Sequence, residues 1–512
     1  MDWAERCRAY TMTDGTSGFT VSFAGMDFTE AALEGMRDRF ARALTGIADI
    51  ERGAVKNPDE RRKVTHFTDR VVYPASPEFQ AVERFAAAVR EEGKFDAVVV
   101  NGIGGSALGP QLMQFAVNGP YWNELTREQR KHGLKIYFLD NTDSAGFADL
   151  LAVMDPARTL HLVVSKSGGT QETKNNLIAM RDFYAERQLD FARFAVAVTM
   201  KDSALWKEAS AENWLAIFEM AESIGGRTSE TAIVGHLPAA LTGIDFRRFL
   251  AGACAMDEWT RTPDYRRNPA LFLAAMWYLA GNGRGDRNMV IVPYSDRLVL
   301  LSRYLQQLVM ESLGKERDLD GKVVHQGLNV FGNKGGTDAH AFIQQLNDGR
   351  DDFFATFIEV LRDARQVPIA DGVTMGDYLH GFFEGLSAAL RSKGRQVITI
   401  RIPELDVFAL GQIIALYERT VAVYAEFINI NAFHQPGVQA YKLAAKDMLA
   451  LQAKLASALA GRSFTGRAAD FAALAGVPER EPEIASLLDK AALNRERCRR
   501  EFDGGNWVYT IR

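Results

Sequence analysis

The sequence predicts an α/β protein made of two parallel-sheet domains with a helical extension at each end, and three observations predict it. Short apolar runs, FDAVVV, KIYFLD, TLHLVV and FAVAVT, alternate with helical stretches from residue 96 onward, the pattern of a parallel sheet covered on both faces. The same alternation returns after residue 265, where NMVIVP, FFATFIEVL and RQVITIRI read as strands. The connections after the first and third runs, NGIGGSALGP and SKSGGTQET, are rich in glycine and hydroxyl residues, and ligands in such sheets bind at the carboxyl ends of the strands.

Taken in order, residues 1–95 are expected to form a helical N-terminal wrapping region. FTEAALEGMRDRFARAL and SPEFQAVERFAAAVREEG carry amphipathic spacing on either side of the polar segment NPDERRKVTHFTDR. Residues 96–262 form the first α/β domain. Residues 263–463 form the second: NPALFLAAMWYLAGNG as a buried helix, NMVIVPYSD as a strand, LVLLSRYLQQLVMESLGKE as one long helix, and DVFALGQIIALYERTVAVYAEFINI as a long apolar helix. Residues 464–512 form a small C-terminal appendage of two helical stretches and the strand-like NWVYTIR. The two domains share a pattern but no residue-level repeat.

Composition narrows the partners. Over 512 residues, 60 basic side chains stand against 65 acidic ones for a net charge of -5, so no global field draws the chain to nucleic acid or to an anionic membrane. The three cysteines, Cys7, Cys254 and Cys498, are far apart and odd in number, which points to reduced thiols and a cytoplasmic setting. The N-terminus MDWAERCRAY lacks a basic segment followed by an apolar run, and the longest apolar stretch, 270–280, falls short of the roughly 20 residues that span a bilayer. A soluble, unsecreted protein acting on a small molecule is expected.

The chemistry concentrates in the loops. Ser165, Lys166, Ser167, Gly168, Gly169 and Thr170 offer hydroxyls, approachable backbone N–H groups, a lysine charge and a helix N-terminus, a set that suits phosphate. The plainer alternative is a capped helix with Thr170 as its N-cap. Gly102, Gly104 and Ala107 satisfy the GxGxxA dinucleotide fingerprint, yet Asp140 closes the next strand well beyond the roughly 20-residue interval of a ribose-binding acid. The same glycines equally serve a tight turn, or a phosphate cradle using Gly105 and Ser106. VFGNKGGTD lacks the GK[ST] end of a phosphate-binding Walker loop. The eight histidines show no i, i+4 pair and no HxH, and no GxSxG elbow is present, so neither a cofactor nor a metal is expected. Glu311 closes an apolar helix, either as a functional carboxylate or as a surface acid pairing with Lys315 at i, i+4. His340 stands alone in a polar loop, either functional or a capping residue.

Six segments in order, GIGGSALGP (102–110), SKSGGTQET (165–173), IGGRTS (224–229), YLQQLVMESLGK (304–315), TDAHAF (337–342) and NAFHQPGVQAYK (431–442), resemble the glucose-6-phosphate isomerase, or phosphoglucose isomerase, family over most of the chain. The resemblance implies two sugar-isomerase-type domains. It also implies an aldose-ketose isomerase that interconverts glucose 6-phosphate and fructose 6-phosphate in glycolysis and gluconeogenesis. By that likeness Gly105, Ser106, Ser165, Lys166, Ser167 and Thr170 bind the phosphate, and Gln307 and Gln435 contact the sugar. Glu311 is the proton-transferring carboxylate, His340 and Lys442 are the ring-opening pair, and Arg227 stabilises the enediolate. A homodimer with a shared active site, His340 crossing between subunits, is implied as well. The chain departs from the family at Asn333 and Lys334, where many members have Glu-Pro, at His434 in place of an Asp, at Tyr441 in place of a glycine, and in TSETAIVG after the arginine. Two rival functions are a nicotinamide-dependent oxidoreductase using the GxGxxA turn and a non-catalytic sugar-phosphate-binding protein. The joint presence of Arg227, Glu311, His340 and Lys442 disfavours the latter.

Overall fold

The apolar runs of the first α/β region form a five-stranded parallel sheet. Its strands are β3 (Ala97–Asn101), β4 (Lys135–Leu139), β5 (Thr159–Val164), β6 (Ala195–Thr199) and β7 (Ala216–Glu219), in the order β4-β3-β5-β6-β7. Every residue of β3, β5 and β6 is buried, which is why these strands read as mostly apolar runs rather than as alternation. The chain leaves β3 for β4 on one side and comes back to β5 on the other, so the order reverses between β3 and β5. The GIGGS and SKSGGT loops both emerge at that reversal.

The computed structural model describes residues 1–512, apart from the side chain of Gln439, and divides into two units, Met1–His434 and Gln435–Arg512. The first unit also contains a six-stranded sheet in the order β1-β2-β15-β12-β8-β11. Here β8 (Asn288–Tyr294), β11 (Val330–Phe331), β12 (Phe353–Val360) and β15 (Gln396–Ile402) run parallel, as the second domain predicted. Two short antiparallel pairs, β9 (Lys315–Arg317) with β10 (Val323–Gln326) and β13 (Pro368–Ala370) with β14 (Val373–Thr374), lie outside it.

The other two strands of this sheet correct the expected helical N-terminal region. β1 (Thr11–Thr13) and β2 (Thr20–Gly25) form a hairpin whose β2 pairs antiparallel with β15. The cause is local. Gly18 takes φ +74° in the turn, and Phe19, Val21 and Phe23 alternate inward and are fully buried. A side chain at Gly25 would strike the Val397 carbonyl, so this register requires glycine there. The N-terminal segment therefore completes the second sheet before its helices, among them Arg37–Glu51 and Pro77–Glu92, pack on the core.

The central helix Val407–Phe427 is long and apolar enough to cross a membrane by length and composition, but 94% of its apolar window is buried inside the protein. It also carries buried charge. Arg70 bridges Asp257 at 2.5 Å and Glu418 at 2.6 Å, and Arg419 bridges Asp257 at 2.7 Å. These pairs tie three helices together in a fixed register.

Two boundaries fall elsewhere than expected. The long helix read over LVLLSRYLQQLVMESLGKE is an α-helical turn at Leu301–Leu305 followed by a π-helical turn at Gln306–Glu311. The C-terminal unit begins at Gln435 rather than 464, because the helix Gly437–Ala458 sends Leu451 and Leu455 into a small core with Phe471, Ile484, Leu488 and Tyr509. The expected helices are there at Ala468–Leu474 and Glu481–Asn494. They pack with a three-stranded sheet of β16 (Phe464–Gly466), β17 (Cys498–Asp503) and β18 (Asn506–Ile511).

Candidate active site

The loop after β5 is a tight, glycine-dependent turn. Gly168 adopts φ +70°, and a Cβ there would meet the Leu205 backbone, so the turn requires glycine. Ser165 Oγ donates to Thr170 Oγ1 at 3.2 Å, and the Gly169 N–H donates to Ser167 Oγ at 3.1 Å. Thr170 occupies the N-cap position of the helix Gln171–Ala185, but its side chain makes no capping hydrogen bond, so the capped-helix alternative does not hold. A helix start without a side-chain cap leaves first-turn N–H groups, with the helix dipole behind them, for a ligand. Asn101, at the end of β3, donates to the Thr173 carbonyl at 3.0 Å and accepts from Asn176, which fixes that helix start to the neighbouring strand.

Lys166 turns elsewhere. Its ammonium donates to the carbonyls of Glu222 (2.5 Å) and Ile224 (2.8 Å), the residues that lead into Gly225 and Arg227. Burial, with a smaller push from Arg62, brings its pKa down to about 8. The lysine thus links the phosphate-type loop to the arginine loop.

The glycines of GIGGS serve close packing. A Cβ on Gly105 would lie 1.9 Å from the Gly226 carbonyl oxygen, and one on Gly104, at φ +59°, would lie 3.0 Å from Gln307 Nε2. Ser229 Oγ donates to the carbonyls of Gly226 (2.7 Å) and Gly105 (3.2 Å). The pattern glycines have packing reasons of their own, since a Cβ on Gly102 would meet Ser106 at 2.7 Å and the Val164 carbonyl at 3.1 Å and Gly104 takes a positive φ, so the GxGxxA pattern is accounted for without a dinucleotide. Ser106 closes the Gly104–Ser106 turn, and Gln307 reaches it from the π-helical segment.

Arg227 and Glu311 meet at the centre. The buried Arg227 guanidinium lies 3.7 Å from Glu311 Oε2. It also donates to Ser312 Oγ (3.4 Å) and to the carbonyls of Ala432 (3.3 Å) and His434 (3.2 Å). Burial pulls the arginine below its ordinary value, and Glu311 opposes that pull. Oε2 of Glu311 is buried and has no hydrogen-bond donor among the described residues. The i, i+4 surface pair with Lys315 does not form: Lys315 is buried and donates to the Glu311 backbone carbonyl at 2.7 Å. The π turn directs the Glu311 carboxylate at Arg227 instead, and such turns occur frequently at functional sites.

The segment read as a polar separator holds this centre in place. Arg62 donates to the carbonyls of Ser223 (3.2 Å) and Phe433 (2.9 Å), and Asn57 also donates to Phe433 (3.0 Å). His434 Nδ1 pairs with Asp59, and burial lowers the pKa of its ring against that partner. Residues 57–62 therefore clamp the turn whose carbonyls receive Arg227. Local pattern could not show this, because the partners are separated by most of the chain. Another departure, TSETAIVG, places the buried Glu230 against Gly109 and Gly235, and burial holds its carboxyl far above the usual carboxylate range.

His340 ends the turn Thr337–His340, is exposed, and makes no hydrogen bond or ion pair to Arg227 or Glu311 among the described residues. Buried Asp338 accepts the Asn333 N–H at 3.1 Å and sets that turn, while Lys334 pairs with Asp296 at 2.7 Å. Gln435 and Lys442 are exposed residues of the C-terminal unit, Lys442 on the helix Gly437–Ala458. Among the described residues no three His, Cys, Asp or Glu side chains form a group that could hold a metal.

Comparison with known proteins places the chain. A model of the family "Phosphoglucose isomerase" matches residues 82–391 and 383–460. The glucose-6-phosphate isomerase of Nostoc punctiforme is 47% identical over 463 residues, covering 86% of each chain. That of Geobacter sp. (strain M21) is 44% identical over 514 residues, covering 96% of this chain and 94% of its own. The crystal structure of a glucose-6-phosphate isomerase from Chlamydia trachomatis superposes with a TM-score of 0.79 at 28% identity, covering 88% of this chain and 91% of that one. With the Arg227–Glu311 centre beside glycine-tight loops, these matches lead to one conclusion: the chain belongs to the phosphoglucose isomerase family.

Proposed function

We propose that the chain interconverts glucose 6-phosphate and fructose 6-phosphate through ring opening and an enediolate. The observation that carries this reading is the Glu311 carboxylate, which has one buried oxygen without a donor among the described residues and faces the buried Arg227 guanidinium at 3.7 Å. Aldose-ketose isomerisation removes a proton from C2 and returns one to C1, so one carboxylate that reaches both carbons suffices. The negative charge that develops on the carbonyl oxygen needs a fixed cation, and Arg227 is held in place by hydrogen bonds to Ser312, Ala432 and His434 besides its contact with Glu311. The loop 165–170, with Gly105 and Ser106, takes the phosphate, so binding energy comes from a group remote from the reacting carbons. Gln307 and Gln435 contact the sugar.

Before proton transfer the ring must open: the C1 hydroxyl gives up its proton and the ring oxygen gains one. His340 and Lys442 fill those two places. His340 is exposed and does not touch Arg227 or Glu311 in its own chain, which supports a homodimer in which it serves the partner's site. The two parallel-sheet regions act as the two sugar-isomerase-type domains, and the enzyme works in the cytoplasm on a small sugar phosphate.

Glu311→Gln tests the reading. The amide keeps the shape but cannot accept a proton from carbon. Turnover should fall by at least ~10²- to 10⁴-fold, ring opening should persist, and exchange of the C2 proton with solvent, followed by NMR, should stop. Normal C2 exchange in this variant would assign the base to another residue.

A further inference from the structure

Lys315 is 4% exposed, although it starts a short strand whose next two residues, Glu316 and Arg317, lie at the surface. Lysines are almost never so buried without an ionic partner, and a lysine that merely caps a helix end usually keeps its ammonium in water. Here the ammonium is inside. It donates to the Glu311 carbonyl at 2.7 Å, the last residue of the π-helical turn, and among the described residues that is its one hydrogen bond, although an ammonium has three donors. The charged groups that face it are Arg227, from the loop after β7, and Glu311, on the turn it caps; the His434 ring, from the turn after the central helix, also feels its charge. Burial and the neighbouring Arg227 bring its pKa down to about 7, opposed by Glu311. A buried, under-bonded cation placed beside another cation is unfavourable for folding, so its position calls for a return elsewhere.

We propose that Lys315 is a positioning residue for proton transfer: it anchors the backbone of the π turn at Glu311 and, with Arg227, adds a second buried positive charge near the carboxylate that moves the proton. The inference rests on Glu311 being the base. Fixing the root of that side chain matters because the carboxylate must reach C2 and then C1 from one attachment point, and small misplacements of reacting groups are costly.

The test uses Lys315→Met in the full chain, alone and combined with Glu311→Gln. Methionine fills similar volume and removes only the charge and the donor. The single variant should lower kcat by about 10²-fold, with KM for fructose 6-phosphate and inhibition by inorganic phosphate nearly unchanged, because the anion loop is untouched. The deficit in kcat/KM should depend on pH. In the free enzyme the ammonium is present below about 7 and lost above it, so the wild-type advantage is greatest on the acid side and shrinks as pH rises. On the Glu311→Gln background the second substitution should add little, since it acts through a carboxylate already removed. A wild-type-like kcat, a deficit independent of pH, or equal loss on both backgrounds overturns the proposal. C2 exchange persisting in Glu311→Gln alone would fail the base assignment separately.

Discussion

In the first sheet the strand order reverses between β3 and β5; in the second it reverses between β8 and β12, where the chain leaves β8 for β11 on one side and reaches β12 on the other. Both reversals open a crevice at the carboxyl ends of parallel strands, but their chemistry is opposite. At the first, the helix Gln171–Ala185 starts without a side-chain cap, and hydroxyls and glycines surround its first turn. At the second, the helix Met375–Ser392 starts in a full capping box, with Thr374 and Asp377 each satisfying the other's backbone N–H. Asp377 also lines a cavity of ≈ 160 Å³ with Tyr294, Asp363, His380 and Glu359. There Glu359 is held by His380 at 2.5 Å and by Arg401 at 2.7 Å. Topology thus provides two places of the same kind, and capping distinguishes their helix termini, leaving the first for the proposed phosphate. The second half contributes something else: the segment after β8 carries Gln307 and Glu311 across to the first crevice, where Gly104 packs on Gln307.

The largest effect expected from breaking this asymmetry is at Arg227, where the two halves meet. Arg227→Met removes the cation proposed to face the developing enediolate, and loss of such a fixed charge should reduce kcat by roughly 10²- to 10³-fold. KM should change far less, since the phosphate loop is intact. A steady-state comparison that found only KM altered would move Arg227 from the reaction to substrate binding.

A smaller effect is expected at the uncapped helix. Ser165→Ala and Thr170→Val each remove one hydroxyl from the anion loop, at a cost of about 0.5 to 1.5 kcal/mol, or about 1.5 to 3 kcal/mol where a charged phosphate is the acceptor. Competitive inhibition by inorganic phosphate reads this directly. Unchanged inhibition constants in both variants would show that the loop does not hold the anion.

The sequence revealed most where structure is local. The runs of β3, β5 and β6 are buried throughout and mostly apolar because both faces are covered, and SKSGGT announced its loop through its glycines, of which Gly168 takes positive φ. The hairpin of β1 and β2 was equally local, since Phe19, Val21 and Phe23 alternate after Gly18, but the amphipathic helices that follow it dominated the reading of that region. What stayed hidden depends on distance along the chain. Nothing near Arg62 or Asn57 shows that both donate to Phe433, or that Lys166 donates to Glu222 and Ile224. The π turn was hidden for another reason: an apolar helix pattern at YLQQLVME does not distinguish i, i+4 from i, i+5 hydrogen bonding. Spacing therefore left open a surface pair of Glu311 with Lys315, whereas the structure buries Lys315 and turns Glu311 toward Arg227.

The smallest catalytic effect is expected in the second crevice, and it sharpens the comparison most. Glu359 is 5% exposed at the end of β12, with Arg401 on one oxygen and His380 on the other, while Arg401 also pairs with Glu384. This is a satisfied network under a capped helix, and its work is to hold β12, β15 and the helix Met375–Ser392 together. Glu359→Gln keeps the volume but removes the charge that both partners share. Hydrogen bonds to charged groups contribute about 1.5 to 3 kcal/mol each, and the amide retains part of that, so the midpoint of denaturant unfolding should fall measurably. Values of kcat and KM for both sugar phosphates should stay within about twofold of wild type, because substitutions away from the reacting groups act through stability rather than the transition state. Unfolding curves and steady-state kinetics on the same preparation decide the matter. A variant that melts like wild type but loses turnover would mean that the second crevice takes part in the reaction, and that the difference in capping does not separate a working site from a structural one.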